Sequence, residues 1–177
     1  MPSTVDILVV DDERDIRELI AGILDDEGYD PRTAANSDAV FEAVRERLPA
    51  LVVLDIWLQG SKLDGLAILD ELKALHPDLP VIVISGHGNI ETAIAAIRKG
   101  AYDFIEKPFN ADKLMITIGR ALEVAQLRRE NTELRERASE LTLIGDSNLM
   151  TGLRSTIDKV ADARSRVLIE GPVGSGK

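Results

Sequence analysis

Three aspartates, a serine and a lysine stand where the apolar runs of this chain end. ILVV, residues 7–10, runs into Asp11, Asp12 and Glu13; LVVL, residues 51–54, runs into Asp55. VIVI, residues 81–84, runs into Ser85, and DFIE, residues 103–106, runs into Lys107. Carboxylates brought close together repel one another, so either one keeps its proton or a cation compensates. Mg2+ is the economical cation, because it prefers carboxylate and water oxygens. Lys107 adds a second positive charge and Ser85 a neutral hydroxyl donor. A cation, a lysine and a hydroxyl around one carboxylate suit phosphoryl transfer: charge neutralised, oxygens held, nucleophile aimed. On that chemistry Asp55 is the nucleophile and becomes an acyl phosphate. For Asp11 and Asp12 alone a plainer role exists, since acidic residues after a strand also cap helices. The repetition of polar groups at successive strand ends favours the phosphoryl reading.

Positioning these groups requires short strands alternating with helices. The expected strands are Asp6–Val10, Tyr29–Ala34, Leu51–Asp55, Val81–Ser85 and a last one within AYDFIEKP, residues 101–108. Between them, Ile16, Leu19, Ile20, Ile23 and Leu24 recur on one helical face, with Gly28 as a stop. A second helix follows Asn36 or Ser37 as cap. A third ends near His76–Pro77, and IETAIAAIRKG supplies a short fourth. Strict alternation of strand and helix predicts a parallel sheet with helices on both faces. Strands one, three and four read as buried; strand two, which contains Pro31, reads as an edge. Such sheets bind ligands beyond the carboxyl ends of their strands, which is where the polar groups fall.

Composition narrows the class. The hydrophobic content of 45% supports a core, and with Trp, Tyr and Phe numbering 1, 2 and 3 that core must be aliphatic. Cysteine is absent, which excludes disulfides and thiolate metal sites, and the two histidines show no ligand spacing. His76 fits a helix end; His87 lies in a Gly-rich loop, either as exposed polarity or at the mouth of the site. A net charge of −10 argues against nucleic-acid binding by the chain as a whole. No apolar run approaches the ~20 residues of a membrane span, and no signal peptide is visible, so a cytoplasmic protein without membrane contact is expected.

ILVVDDE, LVVLDIW, VIVISG and FIEKPF resemble the receiver domain of two-component response regulators, over residues 5 to about 125. The resemblance implies a flavodoxin-like five-stranded sheet in the order 2-1-3-4-5. It implies Asp55 as phosphoacceptor, Asp12 as direct Mg2+ ligand, Asp11 as outer-sphere partner and the backbone carbonyl of Trp57 as a further ligand. Ser85 takes the place of the family's hydroxyl switch, Lys107 of its lysine and Phe104 of its switch aromatic, here without a tyrosine's hydroxyl. A cis Lys107–Pro108 bond is expected with it, and a cognate sensor histidine kinase is the implied phosphodonor. The loop after Asp55, IWLQGSKLDG, is longer than the usual pattern and lacks its proline. With the rest of the chain it is similar to the nitrogen-related NtrX branch of the NtrC family. The indole of Trp57 either gates the site or covers apolar surface.

Beyond Pro108 the pattern changes. Residues from Ala111 to about Leu141 read as one long helix, whose Met115, Ile118, Leu122 and Ala125 stripe packs on the sheet. Leu127, Asn131, Leu134, Ala138 and Leu141 then form a short coiled-coil seam, so a weak homodimer through the fifth helix and its extension is expected; the alternative is a monomeric helix whose seam an ATPase domain covers. The short fourth helix, after a glycine-containing loop, is a natural two-state element for Ser85 and Phe104 to bias. GPVGSGK, residues 171–177, follows the strand-like RVLIE and fits the start of a phosphate-binding loop through Gly171, Gly174, Gly176 and Lys177. With IGDSNLM upstream it resembles the entry to the AAA+ ATPase domain of sigma-54-dependent activators. The expected organisation is a receiver domain over 1–125, a helical linker over 126–142 and an incomplete ATPase start over 143–177, with its loop loosely held. ATP, sigma-54 RNA polymerase and DNA would then be partners only of a full-length protein.

Two functions of different class fit these residues. One is a phosphorylation-dependent regulatory switch with no substrate turnover beyond its own phosphoryl group. The other is a Mg2+-dependent, phosphatase-like hydrolase with an Asp nucleophile; the haloacid dehalogenase type would carry an acid where Trp57 stands. A flavin-binding module is a third option, weakened by an acidic rim that would repel a flavin phosphate.

Overall fold

The computed structural model describes residues 4–86, 90–140, 147–161 and 168, with the helical backbone alone for 137–140. His87, the RVLIE strand (Leu168 apart), Leu141, the Ala138 side chain, and Gly171, Gly174, Gly176 and Lys177 lie outside the described residues. The chain divides into two compact units, 1–131 and 132–177.

The first unit alternates strand and helix as its apolar pattern predicts. Its elements are β1 (Asp6–Val10), α1 (Arg14–Asp26), β2 (Asp30–Ala34), α2 (Ser37–Glu46), β3 (Leu51–Asp55), α3 (Gly65–Leu75), β4 (Val81–Ser85), α4 (Ile90–Arg98), β5 (Asp103–Glu106) and the start of α5 (Ala111–Glu140). All pairings are parallel, in the order β2-β1-β3-β4-β5. The described part of the second unit holds the end of α5 and α6 (Asn148–Ala161), whose Leu149, Leu153 and Ile157 are exposed. None of the described helices is long and apolar enough to cross a membrane.

Alternation along a strand explains why β1, β3 and β4 are apolar at every position. Successive side chains point to opposite faces, and both faces are covered. Leu8, Val10, Val52, Leu54, Val81 and Val83 join one core with residues of α2 and α3. Ile7, Val9, Leu51, Val53, Ile82 and Ile84 join the other with Ile20 and Leu24 of α1 and Leu114, Ile118 and Ala121 of α5. Only the strand ends are left for polar groups. Helix starts follow local chemistry: the Asn36 side chain accepts from the Ala39 N–H at 3.0 Å and that of Asp64 from the Ala67 N–H at 2.8 Å.

Three expectations are corrected. Leu19 is exposed, because the stripe of α1 that meets the sheet is narrow and centres on Ile20 and Leu24. In α5 the buried centre is Leu114, Ile118 and Ala121; Met115 and Leu122 flank it. The helix is rolled slightly about its axis from the expected stripe, because packing into the core it shares with the strands sets its rotation. The strand before Lys107 forms the other edge of the sheet, with Glu106 exposed. The second strand is an edge, as Pro31 suggested, and starts at Asp30 rather than Tyr29.

Candidate functional site

The carboxyl ends of β1, β3, β4 and β5 bring the acidic residues and the lysine together. Asp55 and Ser85 are the last residues of their strands, paired in register with Ile84 and Glu106 respectively. Asp11 and Asp12 follow β1 directly, and Lys107 follows β5. Its N–H donates to the Ser85 carbonyl at 2.8 Å, which extends the ladder and aims the side chain inward. The Lys107–Pro108 bond is cis, as expected.

Lys107 Nζ donates to Asp55 Oδ2 at 2.6 Å and to Asp11 Oδ2 at 2.7 Å. Asp11 Oδ1 accepts from the Glu13 N–H at 2.9 Å, and Asp55 Oδ1 from the Trp57 N–H at 3.2 Å. Asp11, Asp55 and Ser85 are buried, while Asp12 is half-buried. Carboxylate oxygens of Asp11, Asp12 and Asp55 all lie within 4.8 Å of one another. Burial pushes the Asp55 carboxyl above its ordinary range, and the hydrogen bond and charge of Lys107 pull it partway back. For Lys107, burial favours the neutral form, but hydrogen bonds to Asp11 and Asp55 and their charges outweigh it and hold the ammonium above its usual pKa.

This donor set fits a hard divalent cation. It is built of oxygens alone and places three carboxylates beside one ammonium, so negative charge is in surplus. The half-buried Asp12 leaves a route from solvent.

Two residues that the sequence did not single out shape the site. The guanidinium of Arg17 donates to the carbonyls of Asp11 at 2.6 Å and Asp12 at 2.9 Å, which folds the β1–α1 connection over the rim. Gly65 starts α3 hard against β3: a Cβ there would sit 2.1 Å from the Asp55 carbonyl oxygen and 2.6 Å from Ile56 Cα. The Asp64-Gly65 pair was a visible signal for it; Arg17 had none beyond its place in the first turn of a helix. Phe104 is half-buried and packs against the core on the α2 and α3 face. Trp57 is 55% exposed. It lines a shallow apolar depression with Ile56, Leu58, Gln59 and Asp64 beside the phosphoacceptor candidate.

Known proteins share this fold. Residues 7–119 match the model of the response regulator receiver domain. The chain is 58% identical, over 97% of its length, to the nitrogen assimilation regulatory protein NtrX of Azorhizobium caulinodans, and spans 38% of that protein. The crystal structure of the receiver domain of NtrX from Brucella abortus superposes with a TM-score of 0.65 at 68% identity, covering 67% of this chain and 98% of that one. The solution structure of the beryllofluoride-activated NtrC4 receiver domain dimer gives a TM-score of 0.65 at 41% identity, covering 69% and 99%.

Proposed function

Because the chain belongs to the response regulator receiver domain family of two-component systems, we propose that it accepts a phosphoryl group on Asp55 from a sensor histidine kinase. The observation that carries this reading is the placement of Lys107 Nζ between Asp55 and Asp11, at 2.6 and 2.7 Å, inside a surplus of carboxylate. An Asp55 oxygen attacks the donor phosphorus; the bond from phosphorus to the donor's leaving atom breaks, its electron pair stays with the donor, and an aspartyl phosphate remains. Lys107 then exchanges its contact with the carboxylate for a phosphoryl oxygen, and the Ser85 hydroxyl donates to another. Asp12, Asp55 and the Trp57 carbonyl are the residues to hold Mg2+, with Asp11 acting through water. When bound, Mg2+ supplies neutralisation of the charge on the transferring oxygens. Family membership displaces the hydrolase alternative, and the Trp57 indole offers no acid for a leaving group.

The phosphoryl group is read through α4 and α5. Ile90, Ile94 and Ile97 leave an apolar stripe exposed on α4, whose far end is tied to α3 by the Lys99–Asp70 ion pair. Ser85 and Phe104 bias its position. Leu127 and Leu134 of α5 are exposed at 57% and 63%, as an unpaired seam requires. This supports a parallel homodimer in which Asn131 sets the register. A receiver over 1–125, a linker over 126–142 and an ATPase start over 143–177 make the chain the regulatory part of a cytoplasmic NtrX-like protein. In the full protein, ATP, sigma-54 polymerase and DNA engage other domains.

Intact mass after incubation with acetyl phosphate and Mg2+ tests the acceptor. One phosphate is expected on the parent and none on Asp55→Asn; labelling that persists in the variant refutes the assignment. Sedimentation with and without phosphodonor tests assembly, and a monomer under every condition and concentration removes the dimer.

A further inference from the structure

The loop from Ile56 to Asp64 is held at both base and tip. At its base the Gly65 N–H donates to the Ile56 carbonyl at 2.9 Å, and Gly65 leaves no room for a side chain against the Asp55 carbonyl. At its tip, Ser61 Oγ accepts from the Ser37 N–H at 2.9 Å. Ser37 opens α2, and its N–H is one of those a helix leaves without an intrahelical acceptor. The Asn36 side chain serves the Ala39 N–H of the same turn but does not serve Ser37. A residue from the β3–α3 loop therefore caps the first N–H of α2. The Lys62–Asp38 pair beside it, at 2.7 Å, joins side chains exposed by 77% and 67%, where water screens the attraction. Leu58 is buried and Leu63 packs against the same core, so the span between base and tip has little slack. Trp57 lies within that span, with its N–H on Asp55 Oδ1.

We infer that Ser61 is a positioning residue for the cation site: its hydroxyl fixes the loop tip on α2 and thereby the Trp57 main chain, whose carbonyl would be a ligand of the cation. Ser61 is not among the residues that would hold the cation. The inference rests on the reading of Asp11, Asp12, Asp55 and the Trp57 carbonyl as the Mg2+ site. It assigns a use to the longer loop, whose Ser61 reaches α2.

The test is Mn2+ binding to the whole chain, with Mn2+ standing in for Mg2+, read from the electron paramagnetic resonance signal of the free ion. Ser61→Ala should bind about fivefold more weakly, as expected when a supporting hydrogen bond behind a metal ligand is lost. Ser61→Thr, which keeps the hydroxyl, should restore parental affinity, and Lys62→Ala should match the parent. Measured well below the melting temperature, affinity does not move for a residue with a merely structural role. Parental affinity in Ser61→Ala, or equal losses in the Ala and Thr variants, overturns the inference and leaves the cation site standing. A parent chain that binds no Mn2+ at millimolar concentration overturns the cation site, and this inference with it.

Discussion

The two ends of the β-sheet both bury acidic side chains, and they handle the charge in opposite ways. At the amino end, Asp6 receives both nitrogens of a guanidinium fork: Arg32 Nε at 2.9 Å and Nη2 at 2.7 Å. Arg47 adds a contact to Asp6 at 2.9 Å and pairs with Asp30 at 2.8 Å. Arg32 also donates to the carbonyls of Ala43 and Arg47, closing the carboxyl end of α2. Two carboxylates face two guanidiniums, and the planar fork satisfies both oxygens of Asp6. At the carboxyl end, three carboxylates face one lysine, a point charge that Asp11 and Asp55 share. The nearby Arg17 spends its hydrogen bonds on main-chain carbonyls. A balanced cluster is a structural clamp; an unbalanced one carries surplus negative charge that suits a divalent cation.

The largest expected effect separates the two lysine and arginine roles. Lys107→Ala should slow phosphorylation by acetyl phosphate by about 100-fold or more, since it removes the preorganised charge at the transferring group. Arg32→Ala should instead cost roughly 1–3 kcal/mol in urea unfolding, because it leaves the buried Asp6 carboxylate with the half-exposed Arg47 as its remaining cation. Its phosphorylation rate, measured where it is still folded, should stay parental. Equal rate losses in the two variants would erase the distinction between the two ends.

A smaller effect tests how tightly the active end is built. Gly65→Ala forces a Cβ onto the Asp55 carbonyl and should cost roughly 1–3 kcal/mol, the range for overpacking. It should slow phosphorylation as well, because the strain falls on the main chain of the acceptor. A variant that matches the parent in both urea midpoint and labelling rate shows that α3 can move away freely.

The smallest effect concerns the charge itself. The Asp55 carboxyl is raised by burial, so the folded chain holds this proton more tightly than the unfolded chain does. Its contribution to stability is therefore fully present below the ordinary carboxylate pKa and is lost as pH rises through the raised value. Without divalent cation, Asp55→Asn should melt higher than the parent near neutral pH, and the two should converge as pH falls below about 4. A gap that widens on acidification contradicts the sign. Mg2+ should narrow the gap at neutral pH by stabilising the parent alone.

Much of this contrast was legible in the residues. Runs such as LVVL ending on Asp55 announce a strand buried on both faces with its chemistry at the rim, because a sheet covered on both sides leaves polar side chains nowhere else to go. Asn36 and the Asp64-Gly65 pair mark helix starts by local hydrogen bonding alone. The amino-end clamp was not legible: Asp6 and Arg32 are 26 residues apart in sequence and meet only because β2 pairs with β1. The Ser61–Ser37 contact was hidden for the same reason, since a serine in a polar loop carries no sign of the helix it will cap.

What the sequence by itself determined was local and periodic: which runs are strands, which residues cap helices, and that five polar groups fall at strand ends. Periodicity and capping act within a few residues, so they survive translation into one dimension. Tertiary structure decided the rest. It turned α5 so that Leu114, Ile118 and Ala121 became the buried face, left Leu19 in solvent, and set Lys107 between Asp11 and Asp55 rather than beside Asp12. Those outcomes depend on which elements become neighbours and at what rotation, and burial energy settles that over the whole sheet at once.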